Sequence, residues 1–333
     1  MTEFNRQVLL TSRPAGIAQA ENFAIGHAPI QQPAPGQILV RNHYLSIEPA
    51  MRGWIADAGN YAAPVAIGSV MRSLASGEVV ASAHPDYTVG EHVSGWFGWQ
   101  DYACVAADQV VQRTTAAEMR ASLGILGING MTAYLALTLV GQPRAGETIA
   151  VSTAAGAVGS AVGQIARILG CRTIGIAGGP TKVRRCVEEY GYDHAVDYHA
   201  GNVEAAIAEH APEGIDIYFD NVAGAISDSV LPHLAQRARV IVCGTASIDR
   251  WDPWPMGPRV ERHLLVKRGR MEGFVIFDHL DRYAEATAQL RTWISQGRLT
   301  WREDILEGIE ACPDALAGLY RGENDGKRLV RLV

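Results

Sequence analysis

A short β-branched run, Thr148-Ile149-Ala150-Val151-Ser152, feeds a turn of tiny residues, Thr153-Ala154-Ala155-Gly156, which opens an amphipathic segment from Ala157 to Arg167. This order of strand, small-residue turn and helix constrains the chain more than any other stretch, because it is the context that a dinucleotide fingerprint requires. The residues must be small because a diphosphate has to approach backbone amides at a helix N-terminus, where unpaired N–H groups and the helix dipole attract anions. Gly156 and Gly159 allow that approach, while Ala154 stands where the first Gly of G-x-G-x-x-G would be. The match is partial. An ordinary βα turn in a sheet protein would look similar, so the surrounding sequence has to decide.

With 333 residues the chain exceeds a typical single domain, and two domains are expected. The net charge of −6 supplies no basic surface for nucleic acid. No run of about 18 uncharged apolar residues occurs, and the stretch Met1 to Val8 has no apolar core of signal length, so neither membrane insertion nor export is expected and the cytoplasm is the expected compartment. Cys104, Cys171, Cys186, Cys243 and Cys312 are scattered and form no C-x-x-C pair, which suggests free thiols rather than disulfides or a zinc knuckle.

Between Gln7 and about Val111, short apolar segments such as Gly36 to Arg41, Gly77 to Ser82 and Tyr87 to Gly95 are punctuated by Gly, Pro and Asp, as expected of a mainly β region. The periodicity then changes, predicting helices over Ala117 to Leu126 and Met131 to Val140. From Thr148 onward strand-like and helix-like runs alternate: Thr173 to Ala177, Thr181 to Tyr190, His194 to Tyr198, Ile215 to Asn221, Ile226 to Gln236 and Arg239 to Gly244. Such alternation predicts a parallel sheet covered on both faces. Trp251 to Pro258 reads as a Pro- and Trp-rich loop, either rigid surface or near a cofactor. Arg270 to Ile276 predicts a further strand, Leu280 to Gln296 a long helix, and the tail a strand (Thr300 to Ile305), a helix (Asp314 to Arg321) and a strand (Lys327 to Val333) that complete the first domain.

Cofactor choice is argued from the end of the second strand of the alternating region, Thr173-Ile174-Gly175-Ile176-Ala177-Gly178-Gly179. An NAD site places Asp or Glu near this point to accept from the ribose 2′-hydroxyl, and that carboxylate would repel a 2′-phosphate. Here there is Gly, with Lys182, Arg184 and Arg185 close behind, which suits NADP; a merely solvated Lys182 is the alternative. Catalytic zinc needs three Cys, His or carboxylate ligands, and Tyr44 to Trp54 contains neither Cys nor His, while His43, His84, His92 and His263 are dispersed. No metal is expected.

The chain resembles the medium-chain dehydrogenase/reductase superfamily, and within it the zinc-free branch of leukotriene B4 12-hydroxydehydrogenase/prostaglandin reductase, curcumin reductase and 2-alkenal double-bond reductases. The resemblance is carried by Tyr44 to Gly53 (Y-L-S-x-D/E-P-x-M-R-G), Gly130 to Tyr134, Gly141 to Thr148, Ala154 to Ala166, Tyr218 to Gly224, Arg270 to Phe274 and Gly322 to Lys327. It implies an α/β protein with a β-rich GroES-like catalytic domain (1–122, completed by 300–333) and a Rossmann domain with a doubly wound parallel sheet (123–299), with NADPH in the cleft between them. Carried onto this chain, Gly156, Ala157, Val158 and Gly159 would cradle the diphosphate, and Lys182 with Tyr198 would hold the 2′-phosphate. Asn221, Cys243, Gly244, Thr245, Phe274, Val275, Ile276 and Asn324 would line the adenosine, nicotinamide and ribose sites. A homodimer is also implied.

The implied chemistry is hydride transfer from NADPH to the β-carbon of an α,β-unsaturated aldehyde or ketone, helped by hydrogen-bond donors at the carbonyl oxygen. Two departures stand out: Ala50 and Asp249 occupy positions where many members carry Tyr. Tyr61 matches a family tyrosine near the active site and is the catalytic candidate, with strand-edge packing as its alternative. Trp54, Trp251 and Trp254 are expected to shape a substrate pocket in which Ala50 leaves room. An NADPH quinone oxidoreductase and a catalytically weak NADPH-binding protein are the competing functions.

Overall fold

The computed structural model describes residues 4–57 and 60–333; the first three residues of the N-terminal stretch read above lie outside them. The chain folds into two compact units, one made of the residues up to Gly124 together with Glu303–Val333, the other of Ile125–Arg302.

In chain order the elements are β1 (Phe4–Leu10), β2 (Phe23–Pro29), β3 (Gln37–Ser46), the short α1 (Met51–Ile55), β4 (Ala75–Ser82), β5 (His92–Gly95), β6 (Tyr102–Ala106) and β7 (Val110–Thr114). The second unit contributes α2 (Ile128–Leu135), β8 (Thr148–Ser152), α3 (Ala157–Ile168), β9 (Arg172–Ala177), α4 (Pro180–Glu188), β10 (His194–Asp197), α5 (Val203–His210) and β11 (Ile215–Asp220). It continues with α6 (Gly224–Val230), β12 (Leu234–Val242), α7 (Val260–Lys267), β13 (Arg270–Gly273) and α8 (Tyr283–Ser295). The tail adds β14 (Glu303–Glu307), α9 (Cys312–Tyr320) and β15 (Lys327–Arg331) to the first unit.

The first unit is built on a sheet in the order β14-β15-β3-β4-β5-β7, with β6 also pairing β3 and with β1 and β2 forming an antiparallel pair. The tail is integral to it: β15 pairs antiparallel with β3, setting Val330 opposite Leu45. A buried ion pair reinforces the junction. Lys327 Nζ lies 2.7 Å from Glu48 Oε1 and donates to the Ser46 hydroxyl at 2.7 Å and the Ile47 carbonyl at 2.9 Å. All three ammonium donors are thereby placed, which is what a buried lysine requires.

The second unit holds a wholly parallel sheet in the order β10-β9-β8-β11-β12-β13. β8 is buried at every residue, because a parallel sheet is covered on both faces. Alternate side chains serve the two faces. Ala150, Ile174, Ile176, Tyr218 and Val240 pack with Val203 and Ile207 of α5 and Val230 of α6, whereas Ile217 and Ile241 approach Gly141, where a Cβ would lie 3.1 Å from Ile241. The chain runs β8, β9, β10 to one side and returns to β11 on the other, which sets a topological switch point between β8 and β11.

Several elements differ from expectation. Of Tyr87 to Gly95 only His92–Gly95 is strand; Tyr87 and Gly90 belong to turns, and Gly90 has φ 93°. The helix expected over Ala117 to Leu126 is a pair of single 3-10 turns, Ala116–Glu118 and Ala121–Leu123. The run Ile226 to Gln236 changes structure within itself, since Leu234–Gln236 already belong to β12: Pro232 enters a 3-10 turn and cannot sustain the helix. The strand over Arg270 to Ile276 stops at Gly273, although the Phe274 amide still donates to the Val242 carbonyl at 3.0 Å. No helix among the described residues is long and apolar enough to cross a membrane.

Candidate cofactor and substrate site

In a parallel sheet every strand ends at the same edge, and the segments named from the sequence fall just beyond those ends. Thr153 to Gly156 follow β8, Gly178 and Gly179 follow β9, Tyr198 follows β10, Asn221 follows β11, Cys243 to Thr245 follow β12, and Phe274 to Ile276 follow β13. This is the edge at which open α/β sheets bind ligands.

The β8–α3 turn is built for close packing. Thr153 adopts a left-handed backbone, φ 49°, and its hydroxyl donates to the Ser152 carbonyl at 2.8 Å. A Cβ on Gly159 would run into the Thr153 carbonyl oxygen, so α3 can lie this near the turn only with glycine there. Gly163 plays the same part against Tyr192, whose ring a Cβ would overlap and whose hydroxyl donates to the Gly159 carbonyl at 2.6 Å. Ala154 is fully buried, and a Cβ added to Gly175 would lie 2.8 Å from its methyl. The missing fingerprint glycine is thus matched by a glycine on the neighbouring strand.

Gly156 differs from Gly159. Its nearest neighbour to an added Cβ is the Thr153 carbonyl oxygen at 3.1 Å, and α3 begins at Gly156 with no side chain capping its first turn. The leading amides of a twelve-residue helix therefore have no side-chain acceptor from a cap, which suits an anionic diphosphate.

Beyond β9 the backbone of Gly178 lies under the Tyr198 ring, since a Cβ there would be 2.7 Å from the Tyr198 hydroxyl oxygen. Gly179 takes φ 84° and donates its amide to Asp197 at 2.8 Å, and Pro180 starts α4, which carries Lys182 in its first turn. Asp197 also accepts from the His199 amide at 2.9 Å; the Gly179 amide chiefly, with the His199 amide adding, holds its carboxyl below the usual range against the opposing effect of burial. The carboxylate near this end is thus engaged by backbone, while Tyr198 and Lys182 flank the glycines.

Past β11 and β12 the backbone is held by one carboxylate. Asp220 is 3% exposed and accepts from Ser227 Oγ at 2.6 Å, from the Val222 and Ala223 amides at 2.9 Å each, from the Tyr218 hydroxyl at 3.2 Å and from Ser152 Oγ at 3.4 Å. Ser152 Oγ in turn accepts the Asn221 amide at 2.8 Å, and the Asn221 side chain donates to the Ser152 carbonyl at 2.8 Å. The Asp220 carbonyl receives the Cys243 and Gly244 amides at 2.8 and 3.1 Å, and a Cβ on Gly244 would lie 2.7 Å from the Asn221 carbonyl oxygen. Burial, and secondarily Asp220, pushes the Cys243 thiol up to about 12, so it is not a thiolate near neutrality. Asp220 carries no cue of its own in the sequence, although it sits inside the Tyr218 to Gly224 motif. Phe274 and Ile276 are buried, and the Phe274 ring stacks on His279 at 4.9 Å.

Tyr61 and Asn324 belong to the first unit. Tyr61 is exposed, while the Tyr320 hydroxyl donates to the Pro49 carbonyl at 2.8 Å and the Arg52 guanidinium lies 5.0 Å from the Tyr320 ring centroid. Burial pushes the Tyr320 phenol up to about 12, Arg52 opposing and Tyr61 adding to the shift. Asn324 donates to the Gly326 carbonyl at 2.9 Å in the turn that leads into Lys327. Trp54 is a core residue rather than a pocket wall: it is 1% exposed, packed edge-on to Trp96 at 5.6 Å. Trp251 and Trp254 are exposed and touch each other at 5.4 Å. Among the described residues no group of three or more His, Cys, Asp or Glu could hold a metal ion.

A parallel sheet with a switch point, an uncapped fingerprint helix and glycines framed by Lys182 and Tyr198 define a nucleotide-dependent oxidoreductase architecture. Residues 6–112 match the family described as N-terminal domain of oxidoreductase, and residues 157–292 the family described as zinc-binding dehydrogenase. The chain is 40% identical to the NADPH-dependent curcumin reductase of Escherichia coli over 99% of its own length and 97% of the relative's. It is 35% identical to the 2-alkenal reductase (NADP+-dependent) of Nicotiana tabacum, over 98% and 97% of the two chains. The solved structure of CurA from Vibrio vulnificus in complex with NADPH superposes with a TM-score of 0.94 at 42% identity, covering 98% of this chain and 99% of that one. The chain belongs to the zinc-free branch of the medium-chain dehydrogenase/reductase superfamily.

Proposed function

We propose that this protein is an NADPH-dependent reductase of the carbon–carbon double bond of α,β-unsaturated aldehydes and ketones. The observation that carries the reading is the uncapped first turn of α3 over Gly156, set beside a β9 end that offers Gly178, Gly179, Lys182 and Tyr198. The cofactor is NADP(H). When bound, it supplies the hydride that the substrate β-carbon receives. The chain positions and polarises: Gly156 to Gly159 receive the diphosphate on helix amides, Lys182 and Tyr198 hold the 2′-phosphate, and Asn221, Cys243 to Thr245, Phe274 to Ile276 and Asn324 line the remaining nucleotide. Tyr61 donates a hydrogen bond to the substrate carbonyl oxygen, where negative charge grows as the hydride arrives. The substrate class is supported by whole-length similarity to curcumin and 2-alkenal reductases.

The protein assembles as a homodimer. β13 is an edge of the parallel sheet, all four of its residues are exposed, and α7, packed on the neighbouring β12, leaves Leu265 and Val266 in solvent. An open edge with an apolar flank suits an isologous contact with a second copy.

The test of function is NADPH oxidation against a panel of 2-alkenals, enones and quinones, with NADH as control. Turnover of enals and enones supports the reading. Turnover of quinones alone, or tight NADPH binding without any turnover, contradicts it.

A further inference from the structure

Asp220 is the one fully buried carboxylate of the second unit among the described residues, and no cation among them pairs with it. Its acceptors are filled by neutral donors: two backbone amides, two hydroxyls of serine and one phenol. An asparagine could accept the same two amides without burying a charge, so turn geometry does not require the carboxylate. Its field nevertheless reaches the surroundings. It adds to the upward shifts that burial imposes on Cys243, Tyr218 and Asp228.

Its place in the sheet indicates what else feels that field. With Lys182 and Tyr198 beyond β9 and β10, and the diphosphate over the end of β8, a dinucleotide extended across the switch point puts its nicotinamide half beyond β11, β12 and β13. Asp220 ends β11, directly beneath Asn221 and joined through its carbonyl to Cys243 and Gly244.

We propose that Asp220 is an electrostatic tuning residue: its buried negative charge stabilises the positively charged oxidised nicotinamide over the neutral reduced one, so that NADPH bound here is a stronger hydride donor. In the balanced reaction NADPH, the enone and one proton give the saturated carbonyl compound and NADP+, and the ring gains its positive charge as the hydride, with both electrons, leaves. A fixed anion at the end of β11 favours that change. The inference rests on the cofactor placement proposed above.

Equilibrium affinities for NADPH and NADP+ test it, measured by calorimetry on wild type, Asp220→Asn and Ser227→Ala. Asp220→Asn is expected to raise the ratio Kd(NADP+)/Kd(NADPH) roughly tenfold, the order of one unit-charge interaction in a partly screened interior. Ser227→Ala removes the shortest neutralising donor and is expected to lower the ratio by about twofold, so it carries the test where the Asn variant fails to fold. An Asp220→Asn protein that loses both affinities in equal proportion, or a Ser227→Ala ratio that stays put or rises, overturns the proposal. Indifference of wild-type NADPH affinity to Lys182→Ala would instead undo the cofactor placement on which it stands.

Discussion

Glu48 and Lys327, 279 positions apart, meet at 2.7 Å inside the first unit, both less than 5% exposed. Each lies in a motif with an expected functional neighbour: Glu48 precedes the Pro49-Ala50-Met51 turn, and Lys327 ends the Gly322 to Lys327 segment that contains Asn324. The pair fixes the C-terminal strand to the N-terminal sheet and so sets both turns. Burial lowers the lysine below its ordinary value despite the upward pull of Glu48. Lys327→Ala should cost about 3–5 kcal/mol, because it leaves Glu48 buried without a partner. Urea unfolding measures it, and the double variant Lys327→Met/Glu48→Gln should recover much of the loss.

Gly156 and Gly159 should separate binding from stability. Gly159→Ala forces a methyl into the Thr153 carbonyl and should destabilise by about 1–3 kcal/mol in thermal or urea melts. Gly156→Ala meets a milder contact, 3.1 Å from the same carbonyl oxygen, and puts Ala at a helix N-cap, so the melt should fall less than for Gly159→Ala while NADPH affinity drops more. Equal effects on stability and binding at both positions would contradict the division of roles.

Lys182→Ala should weaken NADPH roughly tenfold or more and leave NADH nearly unchanged, since only NADPH has the 2′-phosphate. Binding titrations with both nucleotides decide it, and equal losses would remove the 2′-phosphate role.

Tyr61→Phe should lower kcat by roughly a hundredfold with little change in the KM for NADPH, as expected when one donor to a developing oxyanion is lost. A variant with unchanged kcat would reduce Tyr61 to a surface aromatic.

His43 gives a pH signature. Its half-buried ring, 6.5 Å from His92, is pushed below its ordinary value first by burial, then by Arg41 and His92, with Glu78 opposing. Between that lowered value and about 6.5 the unfolded chain holds more protons than the folded one, so stability rises with pH across the window and falls on acidification. Unfolding free energies measured from pH 5 to 7 should show this slope, and His43→Gln should flatten it.

The parts of this molecule written in local sequence were readable. The β8–α3 unit, the βα alternation and the glycine pair after β9 all follow from periodicity and small-residue placement, which depend on neighbours in the chain. The features that escaped depend on distant residues. Glu48 has no cue pointing to Lys327, and Asp220 looks like any residue at a strand end until Ser227, Tyr218 and Ser152 fold around it. Trp54, expected at a pocket, is drawn into the core by Trp96. The helix expected through Gln236 fails where Pro232 stops it and β11 recruits Leu234 as a strand partner of Ile215.

The most direct test of the central claim follows the hydride itself. NADPH carrying deuterium at the transferred position of C4 is incubated with the protein and a 2-alkenal, and the product is read by NMR. The predicted result is the saturated aldehyde with deuterium at the β-carbon. Deuterium at the hydroxyl-bearing carbon of an allylic alcohol, or none in any product, would contradict double-bond reduction.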